Sequence, residues 1–330
     1  MEYSALVNSR VRQEAQRCLR LYHEAHAHRA RAAPPSPTVG ADEATAPCRP
    51  CWRFYAGQTR ALPGVEYVDD LLALGGETRR GNSVGAAWRS DVLEHRHDYV
   101  QWLFPLRERG VNGQAPLLTT SDAADMAADG LVMARVLQAF RMMLRFYGMC
   151  VTYTFPSTAP PTSSSSPPST PAVAGDTRVR ATLRRTADAA EWGAQYANLR
   201  RRAHNYLRIS RILQFVGEVG LEPLKLGWLE FLVHEVVPTD APLSGACHDS
   251  LFFWLETPYD AADRHRLQQL VVDLASRTSH GASQTSDASG PVVVVEGLVV
   301  PRSLDAARLE VRAAAATPVV DEAAPKRRRL

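Results

Sequence analysis

Two stretches, HDYVQWLFPL (His97–Leu106) and LRRRAHNYLRISRIL (Leu199–Leu213), decide the fold. Each sets large apolar residues at helical spacing beside a distinctive polar string. The first reads as the end of a helix over Trp88–Phe104 that carries Trp88, Val92, Tyr99 and Leu103 and stops at Pro105. The second lies inside a long helix expected over Asp188–Glu218. Leu199, Ala203, Tyr206, Ile209, Leu213 and Val216 share one side of it, and Arg201, His204, Asn205, Arg208 and Arg211 the other. Tyr99, Trp102, Leu103, Phe104, Tyr206, Ile209 and Leu213 are therefore expected to form a core between the two helices. Each large side chain contributes about 1.5–3 kcal/mol when buried. Gln101, His204, Asn205 and Arg208 then form either a polar support network or a groove.

Outward from these strings the periodicity stays helical. A short helix is expected at Tyr67–Leu74. Another runs from a cap at Thr120 or Ser121 to Tyr147, with Met133, Leu137, Phe140, Leu144 and Tyr147 along one stripe and Gly148 as its stop. Pro223 opens a helix that runs to Val237, and further helices fit Cys247–Glu256 and Ala261–Arg277. The N-terminal residues 4–31 read as an arginine-rich helix with Val7, Val11, Ala15, Cys18 and Tyr22 on one side. Strand character is confined to a segment near Val292–Val300. The expectation is an all-α, multi-helix globular bundle. Its plan is an N-terminal helix (1–31), a disordered Pro/Ala/Ser linker (32–47) and a domain (48–277). A disordered Ser/Pro-rich loop (155–177) interrupts that domain, and a flexible tail with a basic end (278–330) follows.

Composition excludes little and directs little. Of 330 residues, 45% are apolar, enough for a sizeable core, and the formal net charge is only +3. Lys225 and Lys326 are the only lysines, so arginine is the default cation and its abundance alone does not indicate nucleic acid. Five cysteines (Cys18, Cys48, Cys51, Cys150, Cys247) are too few and too scattered for a disulfide scaffold. The N-terminal stretch lacks the apolar centre of a signal peptide, and Glu2, Glu14 and Glu24 argue against a transit peptide. No run approaches the length of a membrane span. Any membrane association is therefore expected to be peripheral.

Candidate chemistry is sparse. Gly81–Gly85 matches G-x-S-x-G around Ser83, but the residues before it are polar and no strand leads into it, so it reads as a connection. Cys48 and Cys51 form one C-x-x-C pair without a second, so no metal site is assigned. The carboxylate pairs Asp69–Asp70 and Glu94–Asp98 read as solvated faces rather than acid/base pairs. No phosphate-cradling or dinucleotide fingerprint is present. No catalytic residue and no cofactor is expected. Arg200–Arg211 offers a basic face for phosphates, and Lys326, Arg327, Arg328 and Arg329 form a compact basic end that reads as a nuclear-localisation cluster or as a solubilising tail.

Several strings occur in one order: WRFY (Trp52–Tyr55), Leu93-Glu94 with HDYVQWLFPL, MLRFYG (Met143–Gly148), Asn198-Leu199 with HNYLRISRIL (His204–Leu213), GEVGLE (Gly217–Glu222) and FLVHEVV (Phe231–Val237). Together they resemble the conserved domain of the opioid growth factor receptor family, over about Trp52 to Trp254. Phe146 and Tyr147 join the core set through this resemblance. The resemblance implies a non-enzymatic receptor for enkephalin-type opioid peptides that restrains cell proliferation. It also implies a place in the nucleus and cytoplasm, with association at the nuclear envelope. The 155–177 insertion departs from the family pattern, and no counterpart of the animal receptor's repetitive C-terminal region is present. Ligand contacts are expected at Gln101, His204, Asn205, Arg208 and Arg211. The expected partner is a peptide or protein; the alternative is nucleic acid held by the Arg200–Arg211 face and the basic end.

Overall fold

The computed structural model describes residues 2–31, 49–76, 88–156, 176–279, 290–304, 306 and 309. In chain order the first helices are α1 (Tyr3–Leu6), α2 (Ser9–Arg31), α3 (Pro50–Tyr55), α4 (Val68–Ala73), α5 (Ser90–His95) and α6 (Val100–Leu103). There follow α7 (Thr120–Ala128), α8 (Gly130–Phe146), and strands β1 (Met149–Thr154) and β2 (Asp176–Arg185). The last elements are α9 (Ala189–Arg201), α10 (His204–Glu218), α11 (Glu222–Val236), α12 (His248–Trp254), α13 (Ala261–Ser279) and β3 (Val293–Pro301).

Helix α8 is apolar almost all round and is buried accordingly. Its start is cut cleanly. Asp129 is extended, and its carboxylate accepts from the N–H groups of Leu131 and Val132 at 2.9 and 3.1 Å. The single helix expected from Thr120 to Tyr147 is therefore two, because Asp129 closes α7 and caps α8. Arg135 is drawn into the interior of α8 by bonds to Asp69 (3.0 and 2.6 Å) and to the Tyr55 carbonyl (2.7 Å). Asp69 is thus committed to structure, and Asp70 accepts from the Tyr67 N–H at the start of α4.

The all-α expectation is overturned by an antiparallel sheet in the order β1-β2-β3. Met149–Thr154 pair with Arg185–Arg180, and Asp176–Leu183 pair with Pro301–Val293 across a register shift between Val179 and Ala181. The period-two pattern that drives it is plain once the pairing is seen. Val179, Ala181 and Leu183 point to the core, while Arg178, Arg180 and Arg184 face out. Val293, Val295, Leu298 and Val300 supply the inner face of β3, so residues 293–301, expected within a flexible tail, are the sheet's third strand. The sheet lies on α11. Gly227 makes that approach possible, since a Cβ there would stand 2.2 Å from Val295 Cγ2. Arg185 and Glu235 tie β2 to α11 through a buried pair at 3.0 and 3.2 Å.

Two further helices divide where none was expected to. Trp88–Phe104 holds only α5 and α6, and Asp188–Glu218 breaks at Arg202 and Ala203 into α9 and α10. No proline or glycine marks either break. Along the N-terminal helix α2, Leu19 turns inward with Ala15 and Tyr22, whereas Cys18 is exposed. Among the described residues no helix is long and apolar enough to cross a membrane. Residues 32–47, Cys48, Ser83 and its motif, most of the Ser/Pro-rich stretch and Lys326–Arg329 lie outside the described residues.

Candidate functional site

The two diagnostic strings meet. Tyr99, Trp102, Leu103, Phe104, Phe146, Tyr147, Ile209 and Leu213 belong to one buried cluster, and Tyr206 is partly buried against Trp254. Trp102 packs on Phe54 and donates from Nε1 to the Leu62 carbonyl at 3.0 Å. Phe104 and Tyr55 both pack on Phe215.

The polar residues of the strings form a joint rather than an open groove. Arg208 is buried in α10, and its guanidinium donates to the carbonyls of Leu93 (3.0 Å) and Arg96 (2.8 Å) and to His97 Nδ1 (2.9 Å). Asn205 Oδ1 accepts a further bond at 3.1 Å. Arg208 thus satisfies backbone acceptors that a longer α5 would have used, which is why that helix stops. Glu94 Oε2 accepts from Asn198 (2.8 Å) and Asn205 (3.2 Å), binding the end of α9 to the start of α10. His204 Nε2 lies 3.1 Å from Glu94 Oε1. Burial raises the Glu94 pKa, but these amide bonds, with His204 and Arg208, bring it below the ordinary carboxylate value. Desolvation lowers the His204 pKa against the pull of Glu94.

Gln101 and Arg211 meet elsewhere, flanking Gly110, and Arg211 donates to the Phe104 carbonyl at 3.1 Å. The expected basic face is divided. Arg208 and Arg211 face inward. Arg200, Arg201 and Arg202 are exposed, with Arg200 on the Pro242 carbonyl and Arg202 3.8 Å from Glu94. Asp98 is paired with Arg96, and the Cys51 thiol lies buried on the Leu117 carbonyl.

A second polar centre, which neither string announces, lies beneath α2. Lys225 of α11 is fully buried. Its Nζ donates to Tyr22 Oη (2.8 Å) and to the Thr257 carbonyl (2.9 Å), and pairs with Glu222 at 2.6 Å. The ammonium also sits 4.2 Å from the Tyr259 ring centroid, and Tyr22 stacks on that ring at 4.7 Å. Glu222 Oε1 fixes the Tyr259 N–H at 3.0 Å. Gly217 leaves the room, because a Cβ there would lie 2.5 Å from Tyr22 Oη and 2.8 Å from Lys225 Nζ. Next to it, buried Glu218 is held by Arg107 at 2.8 and 3.0 Å. Desolvation lowers the Lys225 pKa to about 8, with Glu222 opposing the shift. The GEVGLE string thus supplies one wall of this chamber, and its rarest neighbour, a lysine in a chain of arginines, supplies the centre.

The sequence profile described as the opioid growth factor receptor conserved region matches residues 52–154 and 180–284. The chain belongs to that family. It is 28% identical over 217 residues to the Mus musculus opioid growth factor receptor-like protein 1, covering 65% of this chain and 38% of the relative. It is 29% identical over 220 residues to the Homo sapiens opioid growth factor receptor, covering 66% and 26%. The Mus musculus opioid growth factor receptor is 30% identical over 220 residues, covering 66% and 28%. The chain therefore spans less than two fifths of each of these relatives. No solved structure matches it. The two matched segments stop and resume around the Ser/Pro-rich stretch, and they begin after α2, so the helix covering Lys225 lies outside the family region.

Proposed function

We propose that this member of the opioid growth factor receptor family is a non-catalytic module that binds peptides or proteins by seating an amphipathic helix over Lys225. One observation carries the reading: α2, from outside the family region, is already seated there. Ala15, Leu19 and Tyr22 are buried against Phe253 and Tyr259. His23 bonds the Glu256 carbonyl at 2.9 Å, and Arg12 lies 3.7 Å from the Glu256 carboxylate. This is helix-in-groove recognition in cis, with anchors about one turn apart. The relatives' names support a receptor role, and a peptide ligand of opioid type is the reading they favour. The basic cluster Lys326–Arg329 supports entry to the nucleus.

The full chain carrying Leu19→Ala and Tyr22→Ala, which loosens α2, tests this. A dye-labelled peptide of residues 9–31 should bind it saturably, with a Kd of roughly micromolar order. Flat anisotropy would remove the reading. An enkephalin-type peptide added to the complex tests the ligand class: displacement of the label supports it, and an unchanged signal excludes that class from this seat.

A further inference from the structure

We infer that the seat over Lys225 is selective for tyrosine, and that α2 is a resident competitor for a tyrosine-bearing amphipathic helix of a partner protein. The inference rests on the helix-binding reading above and adds the chemistry of recognition and its regulation.

The selectivity comes from the buried ammonium. Lys225 has three donors and three oxygen partners: Thr257, Glu222 and the Tyr22 hydroxyl. Two of these belong to the domain, and the third is brought by the occupant. A helix bearing phenylalanine at that position would fill the same space against Tyr259 but leave one ammonium hydrogen without an acceptor in a dry chamber. A site built to bond a hydroxyl rejects the analogue that lacks it more strongly than an apolar pocket rejects a missing methylene. Gly217 reserves the volume of the hydroxyl, which an apolar pocket would have no reason to keep open.

The occupant's remaining chemistry can be read from α2. Arg12, Ala15, Leu19 and Tyr22 fall at offsets of three, four and three residues, a single helical face. In order, the seat meets them with the Glu256 carboxylate, the Phe253 surface and the Lys225 chamber. The partner segment is therefore a helix with a basic residue, a small residue, leucine and tyrosine at those offsets. The small buried cluster formed by Ala15, Leu19 and Tyr22 is separate from the main core. Eighteen residues (32–49) separate α2 from α3, so the Ala15–Tyr22 face can leave its seat while the covalent tether to the domain stays intact. Local docking of this size opens at a fraction of the free energy of global unfolding. A helix covalently attached beside its own seat raises the concentration that any partner must reach.

The experiment compares labelled 9–31 peptides carrying tyrosine or phenylalanine at position 22. Each is titrated into the wild-type chain and into the Leu19→Ala/Tyr22→Ala chain. The tyrosine peptide should bind the released chain at least about tenfold more tightly than the phenylalanine peptide, and the wild-type chain should bind both more weakly than the released chain does. Equal affinity of the two peptides would overturn tyrosine selectivity while leaving helix binding intact. Equal affinity of the two chains would overturn the competitor role. Binding of neither peptide would sink the underlying helix-binding reading. Lys225→Met in the released chain should erase the tyrosine preference; should that variant fail to fold, the peptide-side comparison still decides. Sedimentation showing that α2 exchanges between two copies of the chain would replace the partner by a second copy and overturn the inference.

Discussion

Arg208 and Lys225 are both buried cations, and they are satisfied in opposite ways. Arg208 draws its acceptors from α5, the turn after it and its own helix, all inside the family region. Lys225 takes two partners from the family region and one from α2, outside it. The first cation is a rivet: its coordination is complete whenever the domain is folded. The second is complete only while a separate helix is in place. Burial alone does not distinguish a structural charge from a recognition charge; the origin of the last hydrogen bond does.

The comparison breaks first at Arg208. Arg208→Met should destabilise the whole domain by about 3–5 kcal/mol, because the Leu93 and Arg96 carbonyls and Asn205 lose their donor inside the core. Urea denaturation reads the loss, and a midpoint within error of wild type would mean that the joint is not a rivet. Tyr22→Phe should act locally and less strongly, by about 1–3 kcal/mol. Hydrogen exchange should accelerate in α2 and leave α8 and α10 protected; equal acceleration in α10 would show that the chamber belongs to the same cooperative unit as Arg208.

The smallest effect is one of pH. Burial depresses the Lys225 pKa from an ordinary 10.5 to about 8. Between those values the unfolded chain holds more protons than the folded one, so this lysine's contribution to stability rises with pH from about 8 upward. Burial raises the pKa of Tyr22 and Tyr147 instead, so their contribution is lost once unfolded tyrosines ionise, above about pH 10. The difference in Tm between wild type and Lys225→Met should therefore shift in favour of wild type between about pH 8 and about pH 10. A difference that stays constant across that window would place Lys225 in a wetter setting than the structure shows.

Sequence pattern reveals the helical interior well and the sheet poorly, for different reasons. Leu213 and the stripe from Met133 to Tyr147 belong to elements whose apolar residues recur every turn, and periodicity detects such residues wherever their partners lie. Strand β1 is only six residues long, and β2 carries three exposed arginines that mask the alternation of Val179, Ala181 and Leu183. The second partner of β2, strand β3, begins at residue 293, beyond the last predicted helix. The breaks after His95 and Arg201 are illegible in the sequence because no local residue causes them; a guanidinium brought from α10 ends α5, and Glu94 in turn straps α9 to α10. The Lys225 chamber was invisible for the same reason, its defining bond joining residues 203 positions apart. Lys225, one of two lysines in a chain of arginines, is the one local sign, and it carries no geometry.

Strand β3 also has a practical bearing on how the protein is made and cut. The family-matched segment ends at residue 284, nine positions before β3 begins. A fragment trimmed to that boundary would lose Val293, Val295, Leu298 and Val300, and the flank of α11 beside Gly227 would meet water. During translation the same flank waits, uncovered, until the ribosome has released the final strand, so this stretch of synthesis is where a chaperone would have the most to shield.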